Sequence, residues 1–179
     1  DVIFGNVSPS GKLPITFPKS VEQLPPFENY SMQGRTYKYF KAEPQYPFGF
    51  GLSYSTIKLS EINLSNEVIS KEKPLVAKIS VTNTGEFSAE EVIQVYVSLD
   101  DAPDSPINDL VAFERIKLQP GEKKDVEFDI KYNHLRYFDD YGKRIDYKGS
   151  VTLTIGNCSP GKRSKDLGAS LVSTKLQAK

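Results

Sequence analysis

Glu91-Val-Ile-Gln-Val-Tyr-Val-Ser-Leu99 is the stretch on which the fold turns. Val92, Ile93, Val95, Tyr96, Val97 and Leu99 put apolar side chains on both alternating sets of positions, so a strand here needs cover on both faces and belongs centrally in a sheet or beneath a neighbouring body. Outward from it the pattern has period two, the mark of strands with one buried face. Leu75, Ala77, Ile79 and Val81 line up on one side upstream, and Val126, Phe128, Ile130 and Tyr132 do so downstream. Further strands are predicted over Ile57–Leu64, Leu110–Leu118, Tyr137–Phe138 and Val151–Ile155, about seven in all, with an edge strand through Leu171 and Val172. Turns are expected at Asn83-Thr-Gly85, Pro120-Gly121-Glu122 and Asp140-Tyr-Gly142. The predicted fold class is mainly β, an immunoglobulin-like sandwich.

Composition changes near Ser55. Nine of the twenty Phe and Tyr residues fall between Phe27 and Tyr54, ending in Tyr46-Pro-Phe-Gly-Phe-Gly-Leu-Ser-Tyr54. Pro9, Pro14, Pro18, Pro25, Pro26, Pro44 and Pro47 block long helices and favour extended backbone. Ser8–Lys12 is expected as a turn, Leu13–Phe17 as a short strand, Val21–Pro26 as a loop, and Gly49 and Gly51 as places where the chain bends tightly between rings. That much aromatic area must be pressed against a surface. The chain starts at Asp1 and runs directly into Val2-Ile3-Phe4-Gly5, which reads as the end of an element begun upstream; a fragment or processed piece is the expectation.

Charge is balanced, 23 Lys and Arg against 23 Asp and Glu, and the like charges form no run of five. Nothing here favours a nucleic-acid or membrane-surface partner, and no stretch approaches the roughly 18 apolar residues of a membrane span. Glu90-Glu91, Asp100-Asp101 and Asp139-Asp140 are neighbours that point to opposite faces of a strand, so they do not converge as a catalytic pair and are expected as solvated loops and strand ends. Asp100, Asp101, Asp104, Asn108 and Asp109 match no standard calcium loop, and neither a metal nor a cofactor is expected. His134 has no evident partner, and Cys158 reads as a small buried thiol. Arg35, among rings in Gly34-Arg-Thr-Tyr37, is a candidate for stacking or for pairing with a carboxylate. Asn6, Asn29, Asn63 and Asn157 each begin an Asn-x-Ser triplet, relevant only in a secreted, glycosylated protein.

Three ordered motifs, Gly5-Asn-Val-Ser-Pro-Ser-Gly-Lys-Leu-Pro-Ile-Thr-Phe17, Gly34-Arg-Thr-Tyr-Lys-Tyr39 and Tyr46–Tyr54, resemble the closing motifs of glycoside hydrolase family 3. Val81–Gly85, Glu91–Tyr96, Leu110–Phe113, Leu118–Glu122 and Val151–Gly156 resemble that family's C-terminal fibronectin type III-like domain. Ala89 stands where many relatives have Gly. The resemblance implies that residues 1–20 end an α/β sandwich domain, 21–56 form an ordered aromatic connector, and 57–179 form the fibronectin-like domain.

The family's enzymes are retaining, exo-acting β-glucosidases or β-xylosidases whose Asp nucleophile lies in an N-terminal barrel and whose Glu acid/base lies in the α/β sandwich. By that resemblance this chain holds neither group and is a structural and docking part, inactive alone, with the catalytic barrel and α/β sandwich as partners and the carbohydrate substrate reached through them. Tyr46, Phe48, Phe50 and Tyr54 are the expected interdomain packing residues, Arg35 and Tyr37 the expected substrate-proximal or interdomain ones. The Gly34–Tyr37 wording leans toward the xylosidase-like branch. The residues leave the compartment open, with a periplasmic or extracellular setting favoured. The alternative is a free-standing immunoglobulin-like module whose aromatics bind carbohydrate or protein.

Overall fold

The computed structural model describes residues 1–139 and 141–179. In chain order, the described residues form a single helical turn α1 (Thr36–Tyr39), then β1 (Ile57–Leu59), β2 (Asn63–Leu64), β3 (Val68–Ile69), β4 (Leu75–Asn83), β5 (Ala89–Leu99) and β6 (Asp109–Leu118). They continue through β7 (Lys123–Ile130), β8 (Arg136–Phe138), β9 (Arg144–Asp146), β10 (Gly149–Gly156), the short helix α2 (Lys162–Asp166) and β11 (Leu171–Ala178).

Two sheets make the sandwich. In the first, β4 pairs with β7 along one edge and with β1 and β2 along the other; the second runs β3-β11-β10-β5-β6. All pairings are antiparallel except β3 on β11, and β8 and β9 form a separate two-stranded ribbon. The side chains expected on the inner face of β4, Leu75, Ala77, Ile79 and Val81, are at most 1 % exposed and join Ile93, Val95, Val97, Leu153 and Ile155 of the facing sheet in one core. Alternation along each strand produces this layer, since every second residue must leave water together.

The differences from the sequence reading have local causes. Ile57–Leu64 is two strands because the Ser60 hydroxyl accepts the Ser80 amide (3.0 Å), a side-chain substitute for a ladder bond that lets the chain step aside. β11 is eight residues long and lies inside its sheet, with β3 outside it. β2, β3 and β9 are too short to show a period. Asp140, in the third expected turn, lies outside the described residues, while Asp139 Oδ1 accepts the Tyr141 and Lys143 amides there.

Residues 1–56 add no strand to either sheet. Leu13–Phe17 and Tyr46–Phe50 run antiparallel, linked by Leu13 N–H to Phe50 O (2.9 Å), Gly49 N–H to Leu13 O (2.8 Å) and Phe17 N–H to Tyr46 O (2.9 Å). The expected strand over Leu13–Phe17 shrinks to one isolated bridge, Phe17 with Tyr46, because Pro14, Pro18 and Pro47 lack the amides a ladder needs. Ser8–Lys12 forms no turn; the turn comes earlier, at Val2–Gly5, closed by Gly5 N–H on Val2 O (3.0 Å).

Candidate functional site

The N-terminal segment has an inner and an outer face. On the inner side it covers β5, where Gln94 and Tyr96, two residues apart and so on one face, are 3 % and 0 % exposed. This is the second cover that the apolar run Glu91–Leu99 demands. Tyr37 stacks on Phe48 at 4.2 Å between ring centroids and meets Tyr96 edge-on at 6.0 Å. Burial raises the pKa of both tyrosines, that of Tyr96 more strongly. Gln94 Nε2 donates to Gly49 O (3.2 Å) and Asn157 O (3.0 Å), its Oε1 accepts from the Tyr96 hydroxyl (2.5 Å), and Phe48 O accepts the Ser159 amide (2.9 Å). A buried ion pair completes the attachment: Lys12 Nζ sits 2.5 Å from Glu91 Oε1, with Asn157 donating to Glu91 Oε2 (3.2 Å).

Glu91 therefore departs from expectation. Sequence predicts a solvated strand-end acid, but its side chain is 4 % exposed, and the compensation comes from Lys12, 79 residues earlier in the chain. A Glu and a Gln inside an otherwise apolar central strand were the available signal, since buried polar groups need partners.

The expected site residues divide between the faces. Phe50 is 9 % exposed and Phe48 and Tyr37 are half-buried against the sandwich. Tyr46 stands 40 % exposed, stacked on Phe50 and edge-on to Phe17; Tyr54 is 44 % exposed, with its hydroxyl donating to Val2 O (2.8 Å) and its ring tilted on Phe87. Arg35 ties a loop together: Nη2 donates to Asn29 O (2.6 Å) and Pro26 O (3.3 Å), and Nε to Ser31 O (3.2 Å). Its Nε and Nη2 thus serve three backbone carbonyls of that loop.

Large apolar side chains of this segment also stand open to solvent. Ile3, Phe4, Phe27 and Tyr30 are 85–90 % exposed, and Val2, Ile15, Met32 and Leu52 are also exposed. Among the described residues no group of three or more His, Cys, Asp or Glu side chains converges as a metal site. His134 accepts the Lys131 amide at Nδ1, and burial followed by the nearby Lys131 charge lowers its pKa. Cys158 is buried, its thiol pKa pushed up by desolvation.

Residues 1–54 match the glycosyl hydrolase family 3 C-terminal domain and residues 91–159 the fibronectin type III-like domain, in that order along one chain. The chain belongs to glycoside hydrolase family 3. It corresponds to the family's C-terminal region. It is 39 % identical over 163 residues to a putative beta-xylosidase of Formosa agariphila, covering 88 % of this chain and 21 % of that protein. Identity is 38 % over 169 residues with a periplasmic beta-glucosidase of Salmonella typhimurium, covering 87 % and 22 %. A beta-glucosidase from Listeria innocua in complex with glucose superposes with a TM-score of 0.78 at 27 % identity over 99 % of this chain and 25 % of that one. Beta-D-glucoside glucohydrolase from Trichoderma reesei gives 0.80 at 25 %, over 100 % and 28 %. The chain spans about a fifth of the length of the curated relatives it matches.

Proposed function

We propose that this region is the non-catalytic C-terminal part of an exo-acting, retaining β-glycosidase of β-glucosidase or β-xylosidase type, and that it docks onto the catalytic body through the outer face of residues 1–54. Residues 1–20 would complete the α/β sandwich, 21–56 connect, and 57–179 brace the assembly. Among the expected packing residues, Tyr46 and Tyr54 face outward as candidates for that contact, whereas Phe48, Phe50 and Tyr37 anchor the connector from within; a substrate-proximal role for Arg35 or Tyr37 would be exerted through the loop they shape. The observation that carries this reading is the exposure of Ile3, Phe4, Phe27 and Tyr30 on one segment. Each such side chain, three rings and one isoleucine, gains about 1.5–3 kcal/mol on full burial, so the four supply a stable interface once covered. Hydrolysis then belongs to carboxylates outside these 179 residues, reached by the terminal β-glycosyl unit of a substrate through the other domains.

The test uses the Salmonella typhimurium relative truncated before its matching region. The purified chain is expected to leave nitrophenyl β-glucoside and β-xyloside intact, to bind the truncated relative and to restore its activity. Retention-type hydrolysis by the chain alone, or no association with the truncated relative, overturns the reading.

A further inference from the structure

A cleft of about 480 Å3 opens between the aromatic segment, the loop after β5 and the start of α2. Its apolar lining is aromatic and proline-rich: the stacked Tyr37 and Phe48 rings with Phe40, Pro44 and Pro47. The volume falls within the range of about 300–1,000 Å3 that small-molecule sites occupy, and an apolar wall with a few polar groups is the usual composition of such sites.

The charges around it do not cancel. Glu43 is the acidic residue of the lining, and it is engaged by Lys19 and, at 3.8 Å, by Lys162, which also pairs with Asp166 at 2.8 Å. Lys41 and Arg163, also in the lining, have no carboxylate partner among the described residues; Arg163 uses Nε on Gln45 O (3.2 Å). Asn108 accepts the Ser98 hydroxyl at Oδ1 (2.9 Å), which orients its amide and leaves the amide nitrogen without a protein acceptor among the described residues. The cleft is thus lined by aromatic and proline rings, one amide donor and two cations that make no ion pair among the described residues.

We propose that this cleft binds an acidic carbohydrate, a short oligosaccharide carrying a carboxylate on one pyranose ring. The C–H faces of the sugar lie on the rings, Asn108 donates to a hydroxyl, and the carboxylate is held by Lys41 and by the guanidinium of Arg163, whose fork matches a carboxylate. A simple anion would satisfy the cations and leave the aromatic wall wet; a neutral sugar would do the reverse. The inference does not rest on the docking role, since the cleft is formed by this chain alone.

The test is a titration of the isotope-labelled full chain, followed by amide chemical shifts, with three probes: a β-1,4-linked xylo-oligosaccharide bearing one glucuronate branch, the same backbone unbranched, and acetate. The branched probe is expected to saturate shifts at residues 40–43 and 161–164 with a millimolar or tighter constant, about tenfold tighter than the unbranched one. Lys41→Glu and Phe40→Ala are each expected to weaken it about tenfold, with amide spectra outside the cleft unchanged. Equal binding of branched and unbranched probes, the same shifts with acetate at similar affinity, no saturation, or undiminished binding by a folded Lys41→Glu variant overturns the proposal.

Discussion

Lys12 and Glu91 form an ion pair at 2.5 Å with side chains only 12 % and 4 % exposed, joining the segment ahead of the sandwich to its interior strand β5. Breaking a buried pair leaves one charge without compensation, which costs about 3–5 kcal/mol, whereas replacing both partners by apolar groups is far milder. Lys12→Met is therefore expected to lower the stability of the whole chain by about 3 kcal/mol in urea unfolding. Lys12→Met/Glu91→Met should recover much of that loss, and strictly additive single effects would show that the pair is not a coupled unit.

Gly49 and Gly121 share φ +75°, so alanine strains the backbone alike at both, by about 1–2 kcal/mol. Their surroundings differ. A Cβ on Gly49 would lie 2.1 Å from Gln94 Oε1, whereas at Gly121 nothing lies within 4 Å. Gly49→Ala must also push aside an amide with three hydrogen bonds, so thermal unfolding should show it as the more destabilising of the two by at least about 1 kcal/mol.

Phe27 and Tyr30 are 86 % and 88 % exposed, so they contribute nothing to the core of this chain. Phe27→Ser/Tyr30→Ser is expected to change its stability by no more than about 0.5 kcal/mol per site. The same variant should bind the truncated Salmonella typhimurium relative at least about tenfold more weakly, measured by surface capture. Unchanged binding would remove these two rings from the docking face.

Asp100 predicts acid sensitivity. Ser150 Oγ (2.7 Å), Lys175 Nζ (3.0 Å) and Thr152 Oγ1 (3.2 Å) donate to its carboxylate, and the Ser150 bond followed by that of Lys175 does most to hold its pKa below the ordinary value. A carboxyl with a depressed folded pKa stabilises fully above its unfolded value, about 3.9, and loses that contribution as pH falls through the folded value. Asp100→Asn should therefore flatten the decline of the thermal midpoint below about pH 4, while lowering the midpoint at neutral pH. An unaltered slope would count against the assignment.

The sandwich was legible because period two is a property of single strands: Leu75 to Val81 and Val126 to Ile130 announce their buried faces without reference to partners. The double cover of β5 was legible too, from Val92, Val95, Tyr96 and Val97 together. What covers it was not. Lys12 with Glu91 and Tyr37 with Tyr96 meet across 79 and 59 residues of sequence, and no local pattern encodes which ring turns inward and which outward. Phe48 and Phe50 serve the inner contact and Phe27 and Tyr30 the outer face, although all four stand in one aromatic segment. Composition alone leaves Arg35 open between a structural and a substrate-proximal role; the path of the backbone shows three carbonyls that its guanidinium serves.

The bond from Ser159 N–H to Phe48 O has a consequence for biosynthesis. A ribosome releases Phe48 first and must add about 110 further residues before its partner exists, roughly 5–20 s at about 5–20 residues per second. Until Gly156 is made, β5, on which the N-terminal rings rest, lacks its partner β10. Nascent chains stalled before Gly156 should engage holding chaperones, and those stalled well beyond Ser164 should let them go.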